Sequence, residues 1–211
     1  MSAKTASPTE RLELFSDGVF AIAATLLVID VAVPVLGTTS GLLSALLHQW
    51  TSYVAYALSF VVIGIMWVNH HATFDRVASI DRALMFWNLL VLGLVAFIPF
   101  PTALLAHYVD QGGSNARVAT ATYALVLMSC SLAFAGLWWH LGRHRELLDE
   151  DCEEHAPQVA LRRSLLGAGV YLVGLVLAVI WPPAAVTLFI AVTVAFMFAE
   201  RPARMTEPEP G

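Results

Sequence analysis

The sequence predicts an all-α polytopic membrane protein with six transmembrane helices and both termini cytoplasmic, and three observations carry that expectation. Of 211 residues, 58% are hydrophobic and 13% charged, about half the charged share of an ordinary soluble domain. Six apolar stretches, at 14–34, 50–70, 82–106, 117–140, 163–181 and 183–199, approach the roughly 20 residues that cross a hydrocarbon core. With a cytoplasmic N-terminus, Lys4, Arg11, Arg76, Arg82, Arg143, Arg145, Arg162, Arg163, Arg201 and Arg204 share the inner side and only Arg117 lies outside, the bias that orients membrane proteins.

Residues 1–10 are polar and lack the apolar core and cleavage site of a signal peptide, so they form a cytoplasmic N-terminal segment and the first span stays in the mature chain. Residues 11–200 make one six-helix membrane domain. The connection from Pro34 to Ser44 is uncharged and rich in Gly, Thr and Ser, which reads as a loop. The third span carries Pro99 and Pro101, which remove backbone donors and bend a helix. Between spans four and five, Glu146, Asp149, Glu150, Asp151, Glu153 and Glu154 read as a solvated helical or disordered segment. Trp181-Pro182-Pro183 interrupts a run too long for one crossing and predicts a tight hairpin. The tail, 201–211, with Pro202, Pro208 and Pro210, reads as disordered. Cys130 falls in an apolar span and Cys152 in the acidic loop, an arrangement of reduced cysteines rather than a disulfide framework.

No activated nucleophile, metal set or phosphate cradle stands at recognisable spacing, so no enzyme and no cofactor are expected. His140 and His144 share a helical face but lack a third ligand, and read as interfacial histidines. The net charge of −5 argues against nucleic acid as a partner. An arginine ladder and a Thr-Val-Gly-Tyr-Gly filter are both missing from the sequence, so ions that crossed would pass side chains on a helix. On the first span, Ile22, Leu26 and Ile29 form one narrow apolar stripe at about 100° per residue, with Thr25 on its flank, Gly18 continuing it inward and Asp30 near its outer end. Ser16 and Asp17 point away from that stripe. A carboxylate at the mouth of a hydrophobic span needs donors from the protein, and Asn69, His70, His71, Trp87 and Asn88 lie at similar depth on spans two and three. By spacing alone, the stripe is what ordinary helix packing produces, facing core or lipid.

Arg11-x-x-x-Phe15-Ser16-Asp17 opening a long apolar helix, Trp67-Val-Asn69-His70-His71, Trp87-Asn88 and Pro99-Phe-Pro101-Thr102 together resemble the transmembrane protein 175 (TMEM175) family over roughly the first half of the chain. The resemblance implies a potassium-permeable channel in a prokaryotic plasma membrane, with potassium as permeant ion and the lipid bilayer as surroundings. Its pore would be lined by the first helices of a homotetramer, because relatives that carry the unit twice assemble as dimers. Ile22, Leu26 and Ile29 would form the constriction, Thr25 a hydroxyl layer and Asp30 the pore mouth. Arg11, Phe15, Ser16 and Asp17 would brace the pore helix against Asn69, His70, His71, Trp87 and Asn88. The competing expectations are a secondary transporter, weakened by the missing inverted repeat, and a proton-conducting channel using Asp17 and His71.

Overall fold

The computed structural model describes residues 8–34 and 41–199. The expectation for the tail, 201–211, and most of the N-terminal segment fall outside these residues. The described chain is helical throughout: α1 (Pro8–Leu26) with a 3-10 turn (Leu27–Asp30), α2 (Leu42–His48), α3 (Trp50–Phe74), α4 (Arg82–Phe97), α5 (Pro99–Tyr108), α6 (Gly113–Arg143), a second 3-10 turn (Arg145–Leu147), α7 (Ala156–Ile180) and α8 (Pro182–Ala199). Among the described residues five stretches are long and apolar enough to cross a membrane: Thr9–Asp30, Trp50–Phe74, Arg82–Tyr108, Gly113–Arg143 and Ala156–Ile180. Pro182–Met197 is apolar but shorter.

Helix ends follow local chemistry. The Asp81 carboxylate accepts the Leu84 amide at 2.6 Å, capping α4. Pro99 has no N–H for the Val95 carbonyl, and the Ile98 amide takes that acceptor at 3.1 Å, so α4 stops and α5 restarts within one continuous span. Trp181 is extended and Pro182 opens α8, which puts the chain reversal where the Trp-Pro-Pro run predicted it.

Helix α6 is the hub, burying Tyr123, Leu127, Cys130, Leu137 and Leu141 completely or nearly so. Close approach is built from small residues. A Cβ on Gly136 would fall 2.2 Å from the Trp87 ring, and one on Gly174 would fall 2.3 Å from Phe189, so α4 seats on α6 and α8 on α7 only because these two positions lack side chains.

Two connections depart from expectation. Of the stretch read as a loop at Pro34 to Ser44, residues 35–40 lie outside the described residues, and Leu42 to Ser44 belong to α2, seven residues whose Leu42, Leu43, Leu46 and Leu47 are exposed. Leu and Ala are strong helix formers, and this stretch is too short for periodicity to reveal. The acidic connection is not a free segment. Leu147 and Leu148 are buried, the Ala78 and Ser79 amides donate to the Leu147 carbonyl at 2.9 and 3.2 Å, and the Asp149 amide donates to the Arg76 carbonyl at 3.0 Å. Two leucines dock the loop onto the α3–α4 turn while its carboxylates stay in solvent. Cys130 and Cys152 are free thiols.

Candidate functional site: the two faces of the first helix

Helix α1 has one face locked and one face open. Ser16, Phe20, Ala23 and Leu27, each at most 2% exposed, form the face that packs on α3 and α4. Ile22, Leu26 and Ile29 on the other side are 60%, 41% and 71% exposed. Thr25 lies open beside them and returns its hydroxyl to the Ile22 carbonyl at 2.9 Å.

The helix tightens where this row ends. Over Leu27–Asp30 the turn is 3-10, and rotation rises from about 100° to about 120° per residue. Ile29 therefore comes nearly into line with Leu26. Asp30 turns about 120° from Leu26, instead of the about 40° that a uniform α-helix implies, and is half-buried.

The locked face is held by a buried chain of polar groups. Ser16 Oγ donates to the Leu12 carbonyl at 2.8 Å and accepts from Asn88 Nδ2 at 3.1 Å. The Asn88 Oδ1 in turn accepts from His70 Nε2 at 2.7 Å, which sets the imidazole tautomer with its proton on Nε2. The ring of His70 is stacked on Phe74 at 4.5 Å and tilted against Phe20 at 5.2 Å. All three polar residues are 1% exposed or less. An unpaired buried polar group costs roughly 1–3 kcal/mol, so the chain Ser16–Asn88–His70 admits one register of α1 against α3 and α4.

Asp17 finds a donor that was not anticipated. Its Oδ1 accepts from Trp67 Nε1 at 2.9 Å, and the Trp67 ring stacks on His71 at 5.9 Å. Adjacent to Ser16 but half-buried, the carboxylate is a rim contact beside the sealed cluster. The tryptophan stands in the Trp67-Val-Asn69-His70-His71 run that the sequence singled out, and its indole N–H, a donor with no acceptor function, was the available signal.

The other members of the expected brace lie around this cluster. His71 is exposed and 3.8 Å from Asp75. Trp87 packs edge-on over Gly136 rather than bonding to α1. Asn69 accepts the Thr73 hydroxyl through its backbone carbonyl at 2.6 Å. Arg11 and Phe15 are exposed and stand outside the polar chain. At the charged end of the bundle His140 Nε2 lies 2.9 Å from Asp81 Oδ2, linking the end of α6 to the cap of α4, and among the described residues no group of three or more His, Cys, Asp or Glu could hold a metal.

The described part of α1 thus pairs an open apolar row with an opposite face held by buried polar groups. Known proteins resemble this chain in sequence and in fold. The profile of the family described as endosomal/lysosomal potassium channel TMEM175 matches residues 11–99. A potassium channel of Streptomyces collinus is 52% identical over 158 residues, covering 75% of this chain and 76% of that protein. One from Chamaesiphon minutus is 43% identical over 195 residues and covers 92% of both. The crystal structure of a lysosomal potassium-selective channel TMEM175 homologue from Chamaesiphon minutus superposes with a TM-score of 0.83 at 41% identity, over 92% of this chain and 98% of that one.

Proposed function

The chain belongs to the TMEM175 family of potassium channels, and from that premise we propose that potassium ions cross the membrane along an axis lined by α1 of four identical subunits. The carrying observation is the open row of Ile22, Leu26 and Ile29 on a helix whose opposite face is fixed. One helix cannot enclose a pore, and closed symmetry lets one surface close on itself. Rings of branched apolar side chains discriminate by forcing an ion to shed water, and they gate by dewetting. Ile22 is the narrowest ring in this reading, Leu26 and Ile29 follow it, and Thr25 supplies hydroxyls beside them. Asp30, which the 3-10 turn carries out of the line of this row, stands beside the outer mouth rather than on it, and the Ser16–Asn88–His70 chain with the Asp17–Trp67 contact braces each helix.

The same reading puts both termini of the channel domain, 11–200, on the cytoplasmic side of a plasma membrane and counts α8 as the sixth span. It rests on the division of Lys and Arg in the sequence. The test is reconstitution into liposomes under a potassium gradient. A channel dissipates the gradient with no coupled ion, and Ile22→Asn raises sodium leak by wetting the narrow ring. Uptake that requires a second ion gradient would instead establish a transporter, and a reversal potential unmoved by Ile22→Asn would remove the row from the ion path.

A further inference from the structure

We propose that the groove between α3, α6, α7 and α8 is a binding site for an anionic phospholipid, such as a phosphatidylglycerol, of the leaflet facing the charged end of the bundle. The groove has a volume of about 1140 Å³. It runs along α3 from Phe60 to the end of the helix at Phe74, about 21 Å at 1.5 Å per residue, and on to Arg76 in the turn beyond, against roughly 20 Å for one leaflet with its headgroups. Small residues hollow it out: a Cβ on Gly64 would meet no atom within 4 Å, and one on Gly167 would only touch Ser131 Oγ at 3.4 Å. Apolar side chains such as Phe60, Ile65, Phe134 and Phe196 line the part within the hydrocarbon, where acyl chains fit without losing solvation.

Charge complementarity selects the lipid. Arg76 and Arg163 line the charged end with His155, against Glu153 as the acidic member. The Arg76 guanidinium donates to the Ala72 carbonyl at the end of α3, which holds it over the groove and commits one of its five donors. Arg163 lies about 10 Å into α7, a depth from which an arginine reaches headgroup level by snorkelling. The Arg76 fork beside an acyl-sized channel, with the positive charge of Arg163 lining the same end, matches a phosphodiester whose chains enter the groove. Trp67, the donor to Asp17, and Asn69 form part of the same wall, so a bound lipid would touch the residue that makes the rim contact to α1.

The full chain, purified in detergent, is titrated with palmitoyl-oleoyl phosphatidylglycerol or phosphatidylcholine, and retained lipid is counted by native mass spectrometry. The readout is independent of ion flux, so its failure leaves the channel reading intact. At least fivefold more phosphatidylglycerol than phosphatidylcholine should be retained. Arg76→Gln with Arg163→Gln should bring the two to parity, whereas Arg82→Gln, also at the charged end but off the groove, should change nothing. Ala160→Trp fills the groove with both arginines in place and should expel phosphatidylglycerol, which keeps the test decisive if the double variant fails to fold. Equal retention of the two lipids by the unaltered protein overturns the proposal, as does unchanged phosphatidylglycerol in Ala160→Trp or its displacement by equimolar glycerol 3-phosphate. Cross-linking of Val159→Cys between subunits with no phosphatidylglycerol bound assigns the groove to a second copy, and overturns it too.

Discussion

Asn88 is the residue on which the locked face of α1 depends, because its amide serves two buried partners at once. Asn88→Ala leaves the His70 Nε2–H without its acceptor and Ser16 with only its bond to the Leu12 carbonyl, and at roughly 1–3 kcal/mol for an orphaned buried group the expected loss is about 1–3 kcal/mol, read as a lowered unfolding temperature in detergent. Loss of the Trp67 donor is milder. Trp67→Phe keeps the ring stacked on His71 but deletes the bond to Asp17, and since Trp67 is 42% exposed the cost is about 1 kcal/mol. Assembly should survive in Trp67→Phe and fail first in Asn88→Ala, which size-exclusion chromatography resolves. The opposite order would make the rim carboxylate, rather than the sealed chain, the anchor of α1.

At the scale of the element, the start of α4 and the end of α6 are joined through Asp81. Partial burial would raise its carboxyl; the Leu84 amide and His140 outweigh that and hold it below the ordinary carboxylate range. A carboxyl depressed on folding adds stability above the unfolded pKa of about 3.9 and loses it as pH falls through the lower folded value. Thermal stability of the unaltered protein should therefore drop as pH falls below about 4 by an increment that Asp81→Asn lacks. Because the Asp81 side chain is 37% exposed, the increment is at most about 1 kcal/mol. Asp81→Asn keeps the helix cap and should be milder at pH 7 than Asp81→Ala, which loses it at about 1 kcal/mol. Gly136→Ala, by contrast, must displace the Trp87 ring and should destabilise by roughly 1–3 kcal/mol; a neutral effect would mean that α4 and α6 separate freely.

For the whole molecule the decisive comparison is between the two faces of α1. Ile22→Asn changes an open position, whereas Leu27→Ser places a hydroxyl where no surface is exposed. Under the proposed assembly, Ile22→Asn keeps the fold and shifts the reversal potential toward sodium, because a wetted ring discriminates poorly between hydrated cations. Leu27→Ser lowers stability by about 2–4 kcal/mol without that shift in the protein that still assembles. Equal shifts in the two would show that the axis runs elsewhere.

Sequence alone determined five apolar spans, the break at Trp181, the unequal sides of α1 and the polar residues that meet behind it, because hydropathy and helical period are local properties of the chain. Ser16, His70 and Asn88 were legible as a group since a buried polar residue must find a partner, and few candidates share its depth. Tertiary structure decided which partner each took: Trp67 rather than a histidine for Asp17, Gly136 for Trp87, and the α3–α4 turn for the acidic loop. It also decided the 3-10 turn that brings Ile29 into line and swings Asp30 aside, and the groove ending at Arg76 and Arg163. These depend on how far one helix rotates and slides against another, which is set by the summed packing of many side chains distant in sequence and is written in no single stretch of it.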